Sequence, residues 1–204
     1  MAVDGSRREA ILEAMIRVVG GKGYASTSVA DVLTDAGSSR ATFYKHFDDK
    51  LDCFLAALQV AAERILAAAT GACDGEEGWQ ERARGGLIAV VELFAAQPEL
   101  ARATVVEAAI AGADARQRYW TTAGRLAQLL EDHGQAPNQA ELPSSTGLMA
   151  VAAVAGLIFD ELKEGTAADL PHLLPELEFA LLVPYLGPRA AADACGPPVP
   201  STPR

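Results

Sequence analysis

The stretch from Ser28 to Lys50, SVADVLTDAGSSRATFYKHFDDK, constrains this chain more than any other and reads as two short helices joined by one tight turn. Val29, Val32, Leu33 and Ala36 recur at i, i+3, i+4 and i+7, the spacing of a helix with one apolar face. Ser28, with Asp31 three residues on, resembles a capping box with Asp in place of Glu, its hydroxyl accepting an orphan amide at the helix start. Gly37 can take positive φ cheaply, and Ser38 and Ser39 are good caps for a second helix. Two helices around a glycine turn make a helix-turn-helix, whose second helix can lie in the major groove of a duplex.

At about 100° per residue, Phe43 and Phe47 share the inward side of that second helix. Ala41, Thr42, Lys45 and, less centrally, Tyr44 point away. A small residue, a hydroxyl, a cation and a phenol suit phosphate contact and base-edge reading better than burial. The competing reading makes Phe43, Tyr44 and Phe47 the core of a small bundle and Lys45 a solvated charge. The flanking turn and caps favour the DNA-reading alternative.

The segment GSSRATFYKHFDDK resembles the recognition helix and following cap of the TetR family of bacterial repressors. Residues 6 to 21, with Ile11, Ala14, Met15, Val18 and Val19 on one stripe, and the turn GKGYAST resemble the family's first helix and its glycine-aromatic turn. Gly20, Gly21 and Gly23 are expected to stop that helix, with Tyr24 packing back on it. Ser38 departs from the aliphatic residue usual there. The resemblance implies operator contacts from Ser39, Arg40, Ala41, Thr42, Tyr44, Lys45 and His46, and phosphate contacts from Ser28 and Lys50. Lys50 could instead be a free surface lysine.

The resemblance also implies an all-α architecture of about nine helices. A three-helix DNA-binding head is expected at 6–66, with the motif at about 28–47, followed by a ligand-binding and dimerisation body at 67–187. A long helix from about Lys50 to Ala69 would link the two, with Leu51, Phe54, Leu55, Leu58, Ala62, Ile65 and Leu66 on its buried side. Polar Thr70–Gly78 is expected to be a loop, and further helices are expected at Trp79–Ala96, Glu99–Ala111 and Arg116–His133. Ser144–Glu164 is apolar almost all round and rich in Ala and Gly, so it must be buried on more than one side. With Pro171–Leu186 it resembles the helix pair through which TetR-type bodies dimerise. An intramolecular bundle in a monomer is the alternative. Pro188 to Arg204, with five prolines, reads as a disordered tail.

The net charge of −10 is awkward for a DNA binder until it is divided along the chain. Residues 1–50 hold seven Lys or Arg and seven Asp or Glu, and the rest holds ten against twenty. The head is therefore neutral, and affinity must rest on a few placed contacts and on two heads acting together. No run of about eighteen uncharged apolar residues is present, and MAVDGSRREA lacks the apolar core of a signal peptide. A cytoplasmic protein with no membrane partner is expected.

No catalytic set emerges. His46, His133 and His172 are scattered, and Cys53, Cys73 and Cys195 lie far apart, so neither a metal centre nor a disulfide framework is supported. Ser144-Ser145 lacks a nucleophile elbow, and there is no glycine-rich phosphate loop. No cofactor is expected, and the chain is not read as an enzyme. The resemblance implies an inducer pocket in the body, for which Phe94, Thr104, Glu107, Tyr119, Trp120, Met149 and Phe159 are the candidates. Glu107, set between Val105-Val106 and Ala108-Ala109, is read as exposed in preference to functional. The expectation is thus a homodimeric repressor of a two-fold symmetric operator, released by an unknown small molecule. The rival is a helical ligand-binding or catalytic protein that keeps the helix-turn-helix only as scaffold.

Overall fold

The computed structural model describes residues 2–72, 78–131 and 136–195, and its regular elements among them are all helical. Cys73, His133 and residues 196–204 lie outside the described residues. The elements are α1 (Ala2–Lys22), α2 (Val29–Ala36), α3 (Arg40–His46), α4 (Lys50–Gly71) and α5 (Trp79–Ala96). Next, α6 (Pro98–Ala101) continues as a π-helix (Arg102–Glu107) into α7 (Ala108–Ile110). The described residues end with α8 (Ala113–Glu131), α9 (Thr146–Glu164) and α10 (Leu174–Cys195), with 3-10 turns at Gln139–Glu141 and Ala167–Leu173. If 98–110 is taken as one helical stretch, nine helices result, in line with the all-α expectation.

The chain divides into two compact units, one drawn from 1–64 and 97–121 and the other from 65–96 and 122–204. In the first, α1 packs on α2, α3, α6 and the π-helix. Ile11, Met15, Val19, Val32, Phe43 and Phe54 are fully buried there, and an Arg64–Glu13 ion pair ties α4 to α1. Cys53 is buried and free, its thiol pushed up to about 12 by burial and then by Asp52.

Helix α1 ends within the expected run Gly20–Gly23: it continues through Gly20 and Gly21 and stops at Gly23, whose φ of 85° takes the chain out of the helix. Gly20 serves packing instead, since a Cβ there would overlap the Glu99 backbone of α6. Tyr24 packs on α4 rather than only on α1, its ring stacked on Phe54 at 4.8 Å. As expected, Pro98 stands in the first turn of the next helical stretch, where its missing N–H is tolerated. It then widens into the π-helix, closed by the Ala108 N–H on the Ala103 carbonyl.

In the second unit α9 packs on α10, and α5 packs on α10 and on the 3-10 segment before it. The Trp79 indole N–H donates to the Leu130 carbonyl at 2.8 Å, and the ring lies 4.8 Å from that of Tyr185. The Tyr185 hydroxyl donates to Glu131 Oε1 at 3.2 Å, and the Gly147 N–H reaches the same oxygen at 2.8 Å.

The C-terminal expectations change most. The last helix is preceded by a 3-10 turn over Ala167–Leu173 that contains Pro171, and is α-helical only from Leu174. The tail beginning at Pro188 is corrected over its first eight residues, which are helical to Cys195 after a kink at Gly187, φ 77°. Pro188 follows that kink at a helical start, and Arg-Ala-Ala-Ala favours helix, so the proline marks a beginning there. Helix α4 has the length and composition to cross a membrane, but half of that window is buried, as in a core helix.

Candidate nucleic-acid interface

The reading head is built from local caps. Ser28 Oγ accepts the Asp31 N–H at 3.2 Å, while Asp31 Oδ2 accepts the Ser28 N–H at 2.7 Å and its hydroxyl at 2.6 Å. Lys22 Nζ lies 2.6 Å from the same oxygen, and this cation, with the Ser28 donors, holds the Asp31 carboxyl well below the usual carboxylate range. Helix α2 ends at Gly37, φ 57°, where the Ser38 N–H closes on the Leu33 carbonyl at 3.0 Å. Ser38 is half-buried and contributes its backbone to this cap. Ser39 then caps α3, its Oγ accepting the Thr42 N–H at 3.2 Å and meeting Thr42 Oγ1 at 3.0 Å.

Phe43 and Phe47 are buried with rings 5.4 Å apart, which fixes the rotation of α3. Arg40, Ala41, Tyr44 and Lys45 are consequently exposed, and Tyr44, 57 % accessible, stands edge-on to Phe43. Thr42 and His46, four residues apart, are half-buried. The expected DNA-contact set therefore divides into an outer rank and a recessed one.

Lys50 is neither free nor pointed only outward. Its ammonium donates to the carbonyls of Tyr24 at 2.9 Å and Thr27 at 2.8 Å and lies 4.1 Å from the Tyr24 ring centroid. Thr27 is buried and its hydroxyl donates to the Gly23 carbonyl at 2.8 Å. The turn leading into α2 is thus pinned from α4.

Sequence reasoning missed the other side of that pin. Glu107 is 9 % exposed, and its Oε2 accepts the Tyr24 N–H at 2.8 Å, which corrects the expectation of an exposed side chain. Only its apolar neighbours hinted at this; the partner lies 83 residues away.

The candidate pocket residues fall in both units. Thr104, Glu107, Tyr119 and Trp120 belong to the first, and Phe94, Met149 and Phe159 to the second. The Thr104 hydroxyl donates to the Leu100 carbonyl at 2.8 Å, and half-buried Tyr119 stands edge-on to the exposed Trp120. Phe94 is buried, Met149 is 62 % exposed, and Phe159 lies under the Lys163 ammonium, 5.6 Å away. An open groove of about 440 Å³ runs between α1 and α2, lined by Arg17, Lys22, Asp31 and Asp35 among others and by none of these candidates. Among the described residues, no group of three or more His, Cys, Asp or Glu is arranged to hold a metal.

Residues 11–57 match the family model described as bacterial regulatory proteins, tetR family. The fold is shared along nearly the whole chain with solved regulators. One is the fatty acid degradation regulator FadR of Bacillus halodurans, at 19 % identity and TM-score 0.72, covering 86 % of this chain and 94 % of that one. FadR of Bacillus subtilis, solved with stearoyl-CoA, is 17 % identical with TM-score 0.67, covering 88 % and 98 %. A TetR family regulator of Marinobacter aquaeolei VT8 is 23 % identical with TM-score 0.64, covering 95 % and 97 %. No curated protein matches significantly.

Proposed function

We propose that this chain is a member of the tetR family of bacterial regulatory proteins, whose model its residues 11–57 match, and that it acts as one. It is a DNA-binding transcriptional regulator that reads a two-fold symmetric operator as a homodimer and is released from it by a small molecule. The observation that carries this reading is the outward face of α3, where Arg40, Ala41, Tyr44 and Lys45 stand exposed on a helix locked by Phe43 and Phe47. Ser39, Thr42 and His46 would make the closer, recessed contacts. Ser28 sits at the N-terminus of α2, and a phosphate there would have to compete with Asp31 for its hydroxyl and N–H. Lys50 spends two of its three donors on the turn and keeps a third for the backbone.

Dimerisation would use α9 and α10. Met149, Ala153 and Gly156 form an exposed stripe along α9, and Phe179 is 38 % exposed on α10. A Cβ at Gly156 would meet nothing within 4 Å, so this face has room for another helix to approach closely. The effector would bind in the body at 67–187; of the candidates, Phe94, Met149 and Phe159 lie in the second unit and Thr104, Tyr119 and Trp120 in the first, while Glu107 is engaged by the Tyr24 N–H. A fold relative solved with stearoyl-CoA supports a small-molecule site without naming this chain's ligand. Ligand binding would alter the spacing of the two heads by tilting α4, provided the ligand prefers one spacing. A cytoplasmic protein that is not an enzyme fits this role.

Titration of the parent, Arg40→Ala and Tyr44→Ala against a duplex recovered by selection tests the assignment. Each truncation should weaken binding by roughly 1 to 3 kcal/mol where the side chain makes a specific contact. Affinity equal to the parent's in both would remove α3 as the reading element.

A further inference from the structure

We infer that Arg102 and Glu107 are positioning residues for operator binding, acting together as an external cap on the end of α1 and on the turn that leads into α2. The inference rests on the regulator reading above. Helix α1 ends at Gly23, and a helix end leaves its last carbonyls without intrahelical donors. In the common glycine-terminated cap, the N–H two residues past the end folds back onto the helix. Here the Tyr24 N–H instead meets the Glu107 carboxylate at 2.8 Å. The Gly20 carbonyl, in the last turn of α1, receives Arg102 Nε at 3.2 Å. A cation on the carbonyl end and an anion on the amide beyond it match the charges exposed there, and such charge-assisted bonds are the stronger kind.

The backbone register makes the pair possible. Residues five apart lie about 140° apart around an α-helix, too far to act on one target. In the π-helix over Arg102–Glu107 the bonding step is five residues, which brings its first and last members to one side. Gly20 leaves the space, since a side chain there would overlap the Glu99 backbone, and Gly23 supplies the φ of 85° that turns the chain toward Glu107. Tyr24 is thereby held by an anion at its N–H and by the Lys50 ammonium at its carbonyl. Three residues past it, Thr27, also held by Lys50, hands the chain to the Ser28 cap of α2. Any shift of Tyr24 moves the start of α2 and, through it, the face of α3.

The test compares Glu107→Ala, Glu107→Gln and Arg102→Ala with the parent in the full chain. Two readouts are taken: hydrogen exchange at the Tyr24 amide by NMR, and affinity for a duplex that the parent selects. Glu107→Ala should expose the Tyr24 amide and bind the duplex about tenfold more weakly. Glu107→Gln keeps a carbonyl acceptor and should restore both, which loss of a generic core contact would not require. Arg102→Ala should weaken duplex binding by a smaller factor. Parent-like affinity in Glu107→Ala, or failure of Glu107→Gln to recover affinity in a folded protein, would overturn the inference. If Glu107→Ala does not fold, Glu107→Gln and Arg102→Ala decide. A folded parent that selects no duplex would overturn the regulator reading itself, a separate outcome.

Discussion

Among the described residues each compact unit buries one glutamate, and the two are handled in opposite ways. Glu107 in the first is 9 % exposed and holds the Tyr24 N–H, so its burial fixes a backbone position. Glu178 in the second is 4 % exposed, reaches only the Arg84 guanidinium at 3.3 Å with one oxygen, and leaves the other without a partner. Burial accordingly pushes the Glu178 carboxyl above its ordinary range, with Arg84 opposing. A buried carboxylate can thus be a structural pin or a standing penalty, and only its partners tell which.

The largest expected effect breaks the first half of that comparison. Gly20→Ala would drive a Cβ into the Glu99 backbone, part α6 from α1 and cost about 3 kcal/mol or more. Its neighbour Gly21 is helical with nothing within 4 Å of a built Cβ, so Gly21→Ala should gain up to about 1 kcal/mol. Urea denaturation of both variants checks the pair; equal effects would mean that α6 does not press on α1.

The next effect has the opposite sign and tests the second unit. A carboxyl whose folded pKa is raised lends stability below its unfolded pKa and loses it as pH rises through the folded value. The parent should therefore lose this contribution on going from about pH 4 to neutral, whereas Glu178→Gln should not. At neutral pH the variant should be more stable by about 1 kcal/mol, read by thermal unfolding across that range. A destabilised Gln variant would show that the Arg84 pair outweighs the orphaned oxygen.

The smallest effect lies in the head. Asp31 is depressed by Lys22 and Ser28, so its contribution is present above the ordinary carboxylate range and lost as pH falls through its lower folded value. Lys22→Ala should move that loss to higher pH and leave neutral stability nearly unchanged, because the pair is exposed. NMR titration of the Asp31 carboxyl reads the shift directly; a carboxyl that titrates unchanged would assign the depression to Ser28 alone.

The same contrast explains what could be read in the sequence. The α2 and α3 caps were legible because Ser28 and Asp31, or Ser39 and Thr42, sit three residues apart and recognise each other locally. Phe43 and Phe47 set the face of α3 by spacing alone. The end of α1 was legible to the run Gly20–Gly23 but the role of each glycine was not, because Gly20 answers to a backbone that arrives with Glu99, and glycine as a stop signal looks the same as glycine as clearance. Glu107 was ambiguous for the same reason, its partner being an amide 83 residues earlier. The π-helix follows no hydrophobic period that a reader would look for. At the C-terminus, the prolines of 188–204 outweighed the Arg-Ala-Ala-Ala run that carries α10 on to Cys195.

The central claim is that the α3 face reads DNA in pairs, and selection from a random duplex pool by the purified full chain at physiological salt tests it most directly. Recovery of a two-fold symmetric site with half-sites about one helical turn apart is the expected result. Enrichment of no sequence by demonstrably folded protein would contradict it and favour the rival in which the helix-turn-helix is only scaffold.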